Sequence, residues 1–284
     1  MKSIILLSTL TLTALSLPVP DVQVASEANI TISTNGTTQT TTSTNLTAAQ
    51  SQSLSASTSS GINALLAKVG QLPIVGLTVN ALSDVIKTAE AALATTLNID
   101  TSEDAANGCT AMTVIFARGT TEPGNVGVLT GPEFFDALTD MLGKNAVSVQ
   151  GVDYGASIEG FLEGGDPQGS QTMANLITQT FSKCPNTNIV MSGYSQGGQL
   201  VHNAANILPA KTMVQVSSVI IFGDPDNGKA VTNVAASKTL VICHAGDNIC
   251  AGGDLILLPH LTYSHNAEQA ATFAAARAGM GLGN

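Results

Sequence analysis

The stretch Ile189-Val190-Met191-Ser192-Gly193-Tyr194-Ser195-Gln196-Gly197 decides how this chain folds. Residues 188–191 read as a short buried strand, and residues 199–208 read as a helix leading away from it. Between them stands G-x-S-x-G, the pattern of a sharp strand-to-helix turn that lifts a serine hydroxyl out of the backbone. Small flanking residues let such a turn close without a Cβ clash. A serine capping a helix in an ordinary βα loop would be the bland alternative. The strand and helix on either side favour a nucleophile.

Working outward, short apolar runs alternate with helical patterns. Strands are expected over 112–117, 147–152, 189–192, 216–222 and 239–243, with helices over 132–142, 169–183 and 267–278. Alternation of this kind predicts an α/β fold, a compact α/β-hydrolase with a mostly parallel sheet covered by helices on both faces.

The partners that would activate Ser195 are read in chain order, acid and then base. Four histidines compete. His202 lies ~10 Å along the axis of the helix that follows Ser195, so it is expected to point away. His244 abuts a strand end and reads as a structural hydrogen-bonder. His265 lies in a polar turn. His260 follows Pro259 in an apolar loop just after an acidic turn, and it is the expected base. The expected acid is Asp247, in the short loop between Cys243 and Cys250. Asp224, Asp226 and Asp254 are its rivals. An oxyanion hole needs two N–H donors. Gln196, next to the nucleophile, supplies one, and Thr120, in the loop after the first strand, supplies the other.

The flanks are different in kind. Residues 1–16 hold Lys2 and an apolar run, a secretory signal peptide too short and interrupted to span a membrane. Residues 17–60 are rich in Ser and Thr and nearly without charge, a low-complexity segment expected to be disordered. They carry N-x-[ST] sequons at Asn29, Asn35 and Asn45, expected glycosylation sites. Residues 61–106 show helical spacing at Ile62, Leu65, Leu66 and Val69 and again at Leu82, Val85, Ile86, Ala89, Ala92 and Leu93, two helices broken near Pro73 and Gly76 that form a helical extension or pro-segment. The catalytic domain is then 107–284. The extension is expected to be dispensable for catalysis.

The four cysteines, Cys109, Cys184, Cys243 and Cys250, behind a signal peptide imply two disulfides in a secreted, extracellular protein. Three pairings are open. Their spacing does not suit a metal, so no metal and no cofactor are expected. The net charge of −10 argues against a nucleic-acid partner. No transmembrane segment is expected, and the protein is expected to be a monomer. Two apolar rims are candidates for gripping an aliphatic chain: Leu255, Ile256, Leu257 and Leu258 beside His260, and Ile158, Phe161 and Leu162 in the loop after the 147–152 strand. Without a long insertion to form a lid, an open site is expected.

The motifs Ala117-Arg118-Gly119-Thr120-Thr121-Glu122-Pro123-Gly124-Asn125, Gly193-Tyr194-Ser195-Gln196-Gly197, Cys243-x6-Cys250 around Gly246-Asp247, and Pro259-His260-Leu261-Thr262-Tyr263 stand in order. Together they resemble the fungal cutinases, of the carbohydrate-esterase group that also holds acetylxylan esterases. The resemblance runs from Cys109 to about Ala278. It implies a central five-stranded parallel sheet, a Ser195–His260–Asp247 triad, and oxyanion donors at Thr120 and Gln196. It also implies the pairing Cys109–Cys184 and Cys243–Cys250. Family members commonly carry Ser where this chain has Thr120. The implied activity is that of a secreted serine esterase acting on cutin and related aliphatic esters through an acyl-enzyme. An acetylxylan esterase is the alternative reading, and a non-catalytic wall or surface protein is a third.

Overall fold

The structure, a computed structural model, describes residues 98–280 together with Leu77, Thr78, Lys87, Glu90, Ala91, Ala94 and Thr95. The expected signal peptide, Ser/Thr-rich tract, sequons and the residues that set the helical spacing of the extension, Leu82, Val85, Ile86, Ala89, Ala92 and Leu93 among them, lie outside the described residues.

Five strands form one parallel sheet in the order β3-β2-β4-β5-β6. They are β2 (Met112–Ala117), β3 (Val147–Gly151), β4 (Asn188–Tyr194), β5 (Ser218–Phe222) and β6 (Thr239–Ile242). Four of the helices cover it: α1 (Gly131–Leu142), α3 (Pro167–Lys183), α4 (Gln196–Ile207) and α6 (Ala267–Arg277). Side chains alternate across a strand, and the two faces sort accordingly. Val114 and Phe116 of β2, Val190 of β4, and Ile220 and Phe222 of β5 pack with Phe134 and Leu138 of α1 and Ala270 and Ala274 of α6. Ile115, Met191, Val219 and Ile221 point the other way, onto Met173 and Ile177 of α3 and Leu200 and Val201 of α4. Burying each large aliphatic side chain contributes about 1.5–3 kcal/mol. A strand buried on both faces must therefore read as a continuous apolar run, as β2 and β5 do.

Two short helices fall where loops were expected. In α2 (Ile158–Leu162) the Ser157 side chain accepts the Gly160 N–H at 3.0 Å, an N-cap that starts a helix too short to show periodicity. The other is α5 (Ala210–Met213). Helix α4 begins at Gln196, directly after the turn, although Gly197 and Gly198 are weak helix formers.

The cysteines are joined as Cys109–Cys184 and Cys243–Cys250, the pairing the family resemblance implies. The first fastens the chain before β2 to the end of α3. The second closes the loop that carries Asp247.

The chain before β2 is built into this body. The Asp100 carbonyl accepts the N–H groups of Asn125 and Val126 at 2.8 and 2.9 Å. Gly151 N–H donates to the Ser102 carbonyl at 2.9 Å, and Glu103 bridges Gln150. These contacts tie residues 100–103 to the loop between β2 and α1 and to the end of β3. Further upstream, β1 (Leu77–Thr78) pairs antiparallel with β7 (Leu255–Ile256). Lys87, Glu90, Ala91, Ala94 and Thr95 are helical, with Lys87, Ala91 and Thr95 exposed and Glu90 and Ala94 buried.

A buried carboxyl on that helix has a consequence for stability. Glu90 is 1% exposed, and its Oε2 has no hydrogen-bond partner among the described residues. Burial pushes its pKa well above the usual range, and the charge of Glu122 pushes it further. A carboxyl with a raised folded-state pKa gives its full stability below the unfolded value of about 4.3. That stability falls as pH rises toward the folded value. Glu90→Gln is therefore expected to match the parent near pH 4 and to unfold about 3 °C higher at pH 8. Thermal melts across that range test it, and a variant no more stable at pH 8 would refute it.

Candidate active site

Ser195, Asp247 and His260 gather past the carboxyl ends of the parallel strands, where α/β sheets place their ligands. Strand β4 delivers Ser195, whose N–H donates to the Phe222 carbonyl at 2.9 Å. Ser195 holds φ 55° and ψ −121°, a region of backbone space that L residues avoid. The two pattern glycines make the turn possible. A Cβ on Gly193 would stand 2.2 Å from the Gly197 carbonyl oxygen, and one on Gly197 would stand 2.0 Å from the Ala117 carbonyl oxygen.

His260 sits in a 3₁₀ turn, Leu258–Leu261, and Asp247 in the loop after β6. The three side chains form one hydrogen-bonded line. His260 Nε2 lies 2.9 Å from Ser195 Oγ, and Nδ1 lies 2.8 Å from Asp247 Oδ2. Ile249 N–H donates to Asp247 Oδ1 at 2.9 Å, and the Tyr263 hydroxyl donates to Oδ2 at 2.5 Å. Burial works to raise the Asp247 pKa. The hydrogen bond and charge of His260, the Tyr263 hydroxyl and the Ile249 N–H outweigh it, so the group lies below its ordinary value. An ionised acid bonded to one ring nitrogen leaves the other free to take a proton from the serine.

The other sequence candidates go elsewhere. Asp224 pairs with His202 at 3.0 Å, both buried, so this helix-borne His packs into the body. The ring nitrogens of His244 reach the Pro259 carbonyl at 2.8 Å and Asn266 Oδ1 at 2.7 Å, the structural role expected of it. His265 is exposed.

Thr120, in the loop after β2, is tied to Gln196, the residue that follows Ser195. The Gln196 side-chain Nε2 donates to Thr120 Oγ1 at 3.0 Å and to the Ser157 carbonyl at 2.7 Å. Thr120 Oγ1 thus receives one hydrogen bond and keeps its own proton to give. Among the described residues, the backbone N–H groups of Thr120 and Gln196 donate to no carbonyl.

What holds this loop was not legible in the sequence. The buried Glu122 carboxylate accepts the N–H groups of Gly119, Val128 and Leu129 at 2.7, 2.9 and 2.9 Å. Arg118 Nε donates to the Glu122 carbonyl at 2.7 Å and Nη2 to the Tyr154 carbonyl at 2.8 Å. The Tyr154 hydroxyl returns a bond to the Arg118 carbonyl at 2.6 Å. Glu122 and Arg118 stood in the quoted motif without a role, because backbone donors leave no mark on a sequence.

The two rims meet. Phe161 of α2 is buried against Ile249, with Ile158 and Ile256 packed on the pair. Ser195 is left 6% exposed and His260 1%. Phe161 is thus a bridge rather than a free rim. Leu162 and Leu258 remain exposed, at 60% and 41%, and Leu255 and Leu257 are half-buried.

Among the described residues no helix is long and apolar enough to cross a membrane. The model of the cutinase family matches residues 108–278. The cutinase of Pyrenopeziza brassicae is 62% identical over 200 residues, covering 70% of this chain and 98% of that one. The cutinase of Botryotinia fuckeliana is 59% identical over 175 residues, 62% of this chain and 87% of that one. A solved structure of Trichoderma reesei cutinase in complex with a phosphonate inhibitor superposes with a TM-score of 0.65 at 49% identity, over 77% of this chain and 98% of that one. With such identity across nearly the whole length of these relatives, the chain belongs to the cutinase family, and its chemistry is carboxylic ester hydrolysis.

Proposed function

We propose that this protein is a secreted, monomeric cutinase that hydrolyses the ester bonds of cutin and related aliphatic polyesters through Ser195, His260 and Asp247. The observation that carries the reading is the unbroken line from Ser195 Oγ through His260 to the Asp247 carboxylate. His260 takes the Ser195 proton as Oγ attacks the ester carbonyl. The oxyanion is held by the N–H groups of Thr120 and Gln196 and the Thr120 hydroxyl. Asp247 orients His260 and stabilises the imidazolium. His260 then gives its proton to the departing alcohol, leaving an acyl-enzyme. A water deprotonated by His260 attacks the acyl group, and the acid is released from Ser195.

The exposed Leu258, in the turn that carries His260, and the exposed Leu162, on the helix of Phe161, offer an aliphatic chain apolar surface, which supports a fatty substrate. The phosphonate bound to the Trichoderma reesei relative supports a serine nucleophile here as well. Residues 1–16 act as the signal peptide of a secreted precursor, residues 17–60 as a glycosylated tract and residues 61–106 as an extension ahead of the catalytic domain, 107–284.

Rates on p-nitrophenyl acetate, butyrate and longer esters, beside cutin and acetylated xylan, test the reading. Butyrate and longer esters are expected to turn over at least as fast as acetate, with hydroxy fatty acids released from cutin. Action confined to acetate and acetylated xylan would make the protein an acetylxylan esterase.

A further inference from the structure

Asp247 Oδ2 receives two donors, and one of them has no part in the steps above. The Tyr263 hydroxyl lies 2.5 Å from the same oxygen that faces His260 Nδ1. The phenol proton has little choice of direction, because the backbone N–H of His244 donates to the Tyr263 oxygen at 3.0 Å and occupies a lone pair. The ring is fully buried and clamped. His244 stacks on it at 4.2 Å, and Tyr194, Phe222 and His260 contact it at 6.1, 6.5 and 6.0 Å between centroids. Tyr263 therefore ties the loop that carries the acid to the turn that carries the base.

We infer that Tyr263 is a positioning residue for ester hydrolysis: its hydroxyl fixes the Asp247 carboxylate in the rotamer that receives His260 and, by drawing charge from Oδ2, sets the basicity of His260. The inference rests on the proposed triad. A carboxylate oxygen sharing its charge between two donors is less basic than one with a single donor. Removing the hydroxyl concentrates that charge on the imidazole, favours the imidazolium, and moves the acidic limb of the rate profile to higher pH. It also loosens the carboxylate. The titratable groups around the phenol are Asp247, His260, His244 and Tyr194. Of the acidic side chains on the two helices packed on this turn, Asp136 and Asp140 of α1 and Glu268 of α6 are exposed and Glu133 of α1 is half-buried.

The test compares the full chain with Tyr263→Phe and with 3-fluorotyrosine placed at position 263, a more acidic phenol and a stronger donor. A phosphonate end-point titration counts functional sites, and p-nitrophenyl butyrate rates are expressed per site across pH. Tyr263→Phe is expected to lower kcat about tenfold, a fraction of what a general base supplies, with KM within about twofold and the acidic limb raised by about 0.5 pH unit. The fluorinated protein keeps the shape of the side chain and is expected to lower the limb. If Tyr263→Phe does not fold, the fluorinated limb alone decides. A limb unmoved in every variant that folds, with any loss of rate explained by fewer titrated sites, would overturn the inference and leave Tyr263 a packing residue. Failure of the triad itself would show differently, as phosphonate labelling that survives Ser195→Ala.

Discussion

Ser195→Ala is expected to lower kcat for p-nitrophenyl butyrate by about a million-fold and to abolish phosphonate labelling. Rate remains only from the oxyanion donors and from binding. The loss is separable from unfolding. Ser195 is held at φ 55° by its neighbours, and alanine bears the same backbone strain as serine there. The hydroxyl's partner is His260 Nε2, and His260 keeps its Nδ1 bond to Asp247 when the hydroxyl is gone. Circular dichroism and the melting midpoint should therefore stay near those of the parent. A variant that still binds the phosphonate covalently would place the nucleophile at another residue and remove the basis of the mechanism.

How the sequence announced this site, and where it fell silent, follows from the range of the forces involved. The elbow was legible because its features are local: an apolar run, two glycines that the turn needs, and a serine between them. Asp247 was legible because a disulfide loop isolates it, and His260 because histidine is scarce. The strands were legible as short apolar runs such as Val114, Ile115 and Phe116, but a continuous run does not say which side chain meets which helix layer. Distant contacts were not legible. Phe161 of α2 meets Ile249 only when the fold brings that helix to the loop after β6, so nothing local in the sequence marked the contact. Glu122 binds N–H groups, which every residue owns, so its role has no signature of residue type. The buried face of the upstream helix includes Glu90, a charged type that an apolar pattern passes over.

Gly197→Ala tests the premise that helix and loop must touch for the site to exist. The new Cβ would meet the Ala117 carbonyl oxygen at 2.0 Å, the Ala117 carbonyl carbon at 2.6 Å and the Arg118 carbonyl oxygen at 2.8 Å. All three are backbone atoms at the end of β2, and that strand is paired on both sides, to β3 and β4. The strand has no room to yield, so the start of α4 must lift. Lifting it separates Gln196 from Thr120, which the Gln196 side chain bridges at 3.0 Å, and pulls the two proposed oxyanion donors apart. Destabilisation of about 3–5 kcal/mol is expected. A misplacement of ~1 Å in such a constellation lowers kcat about a hundredfold in the molecules that remain folded. Gly143→Ala is the control. Gly143 has φ 89° and nothing within 4 Å of a Cβ, so it carries backbone strain of about 1–2 kcal/mol without touching the site. Denaturant unfolding and kcat per phosphonate-titrated site separate the two variants. If Gly197→Ala kept the parent's kcat per site, close apposition of α4 to the loop after β2 would not be what assembles the oxyanion donors, and Thr120 would lose its assigned part.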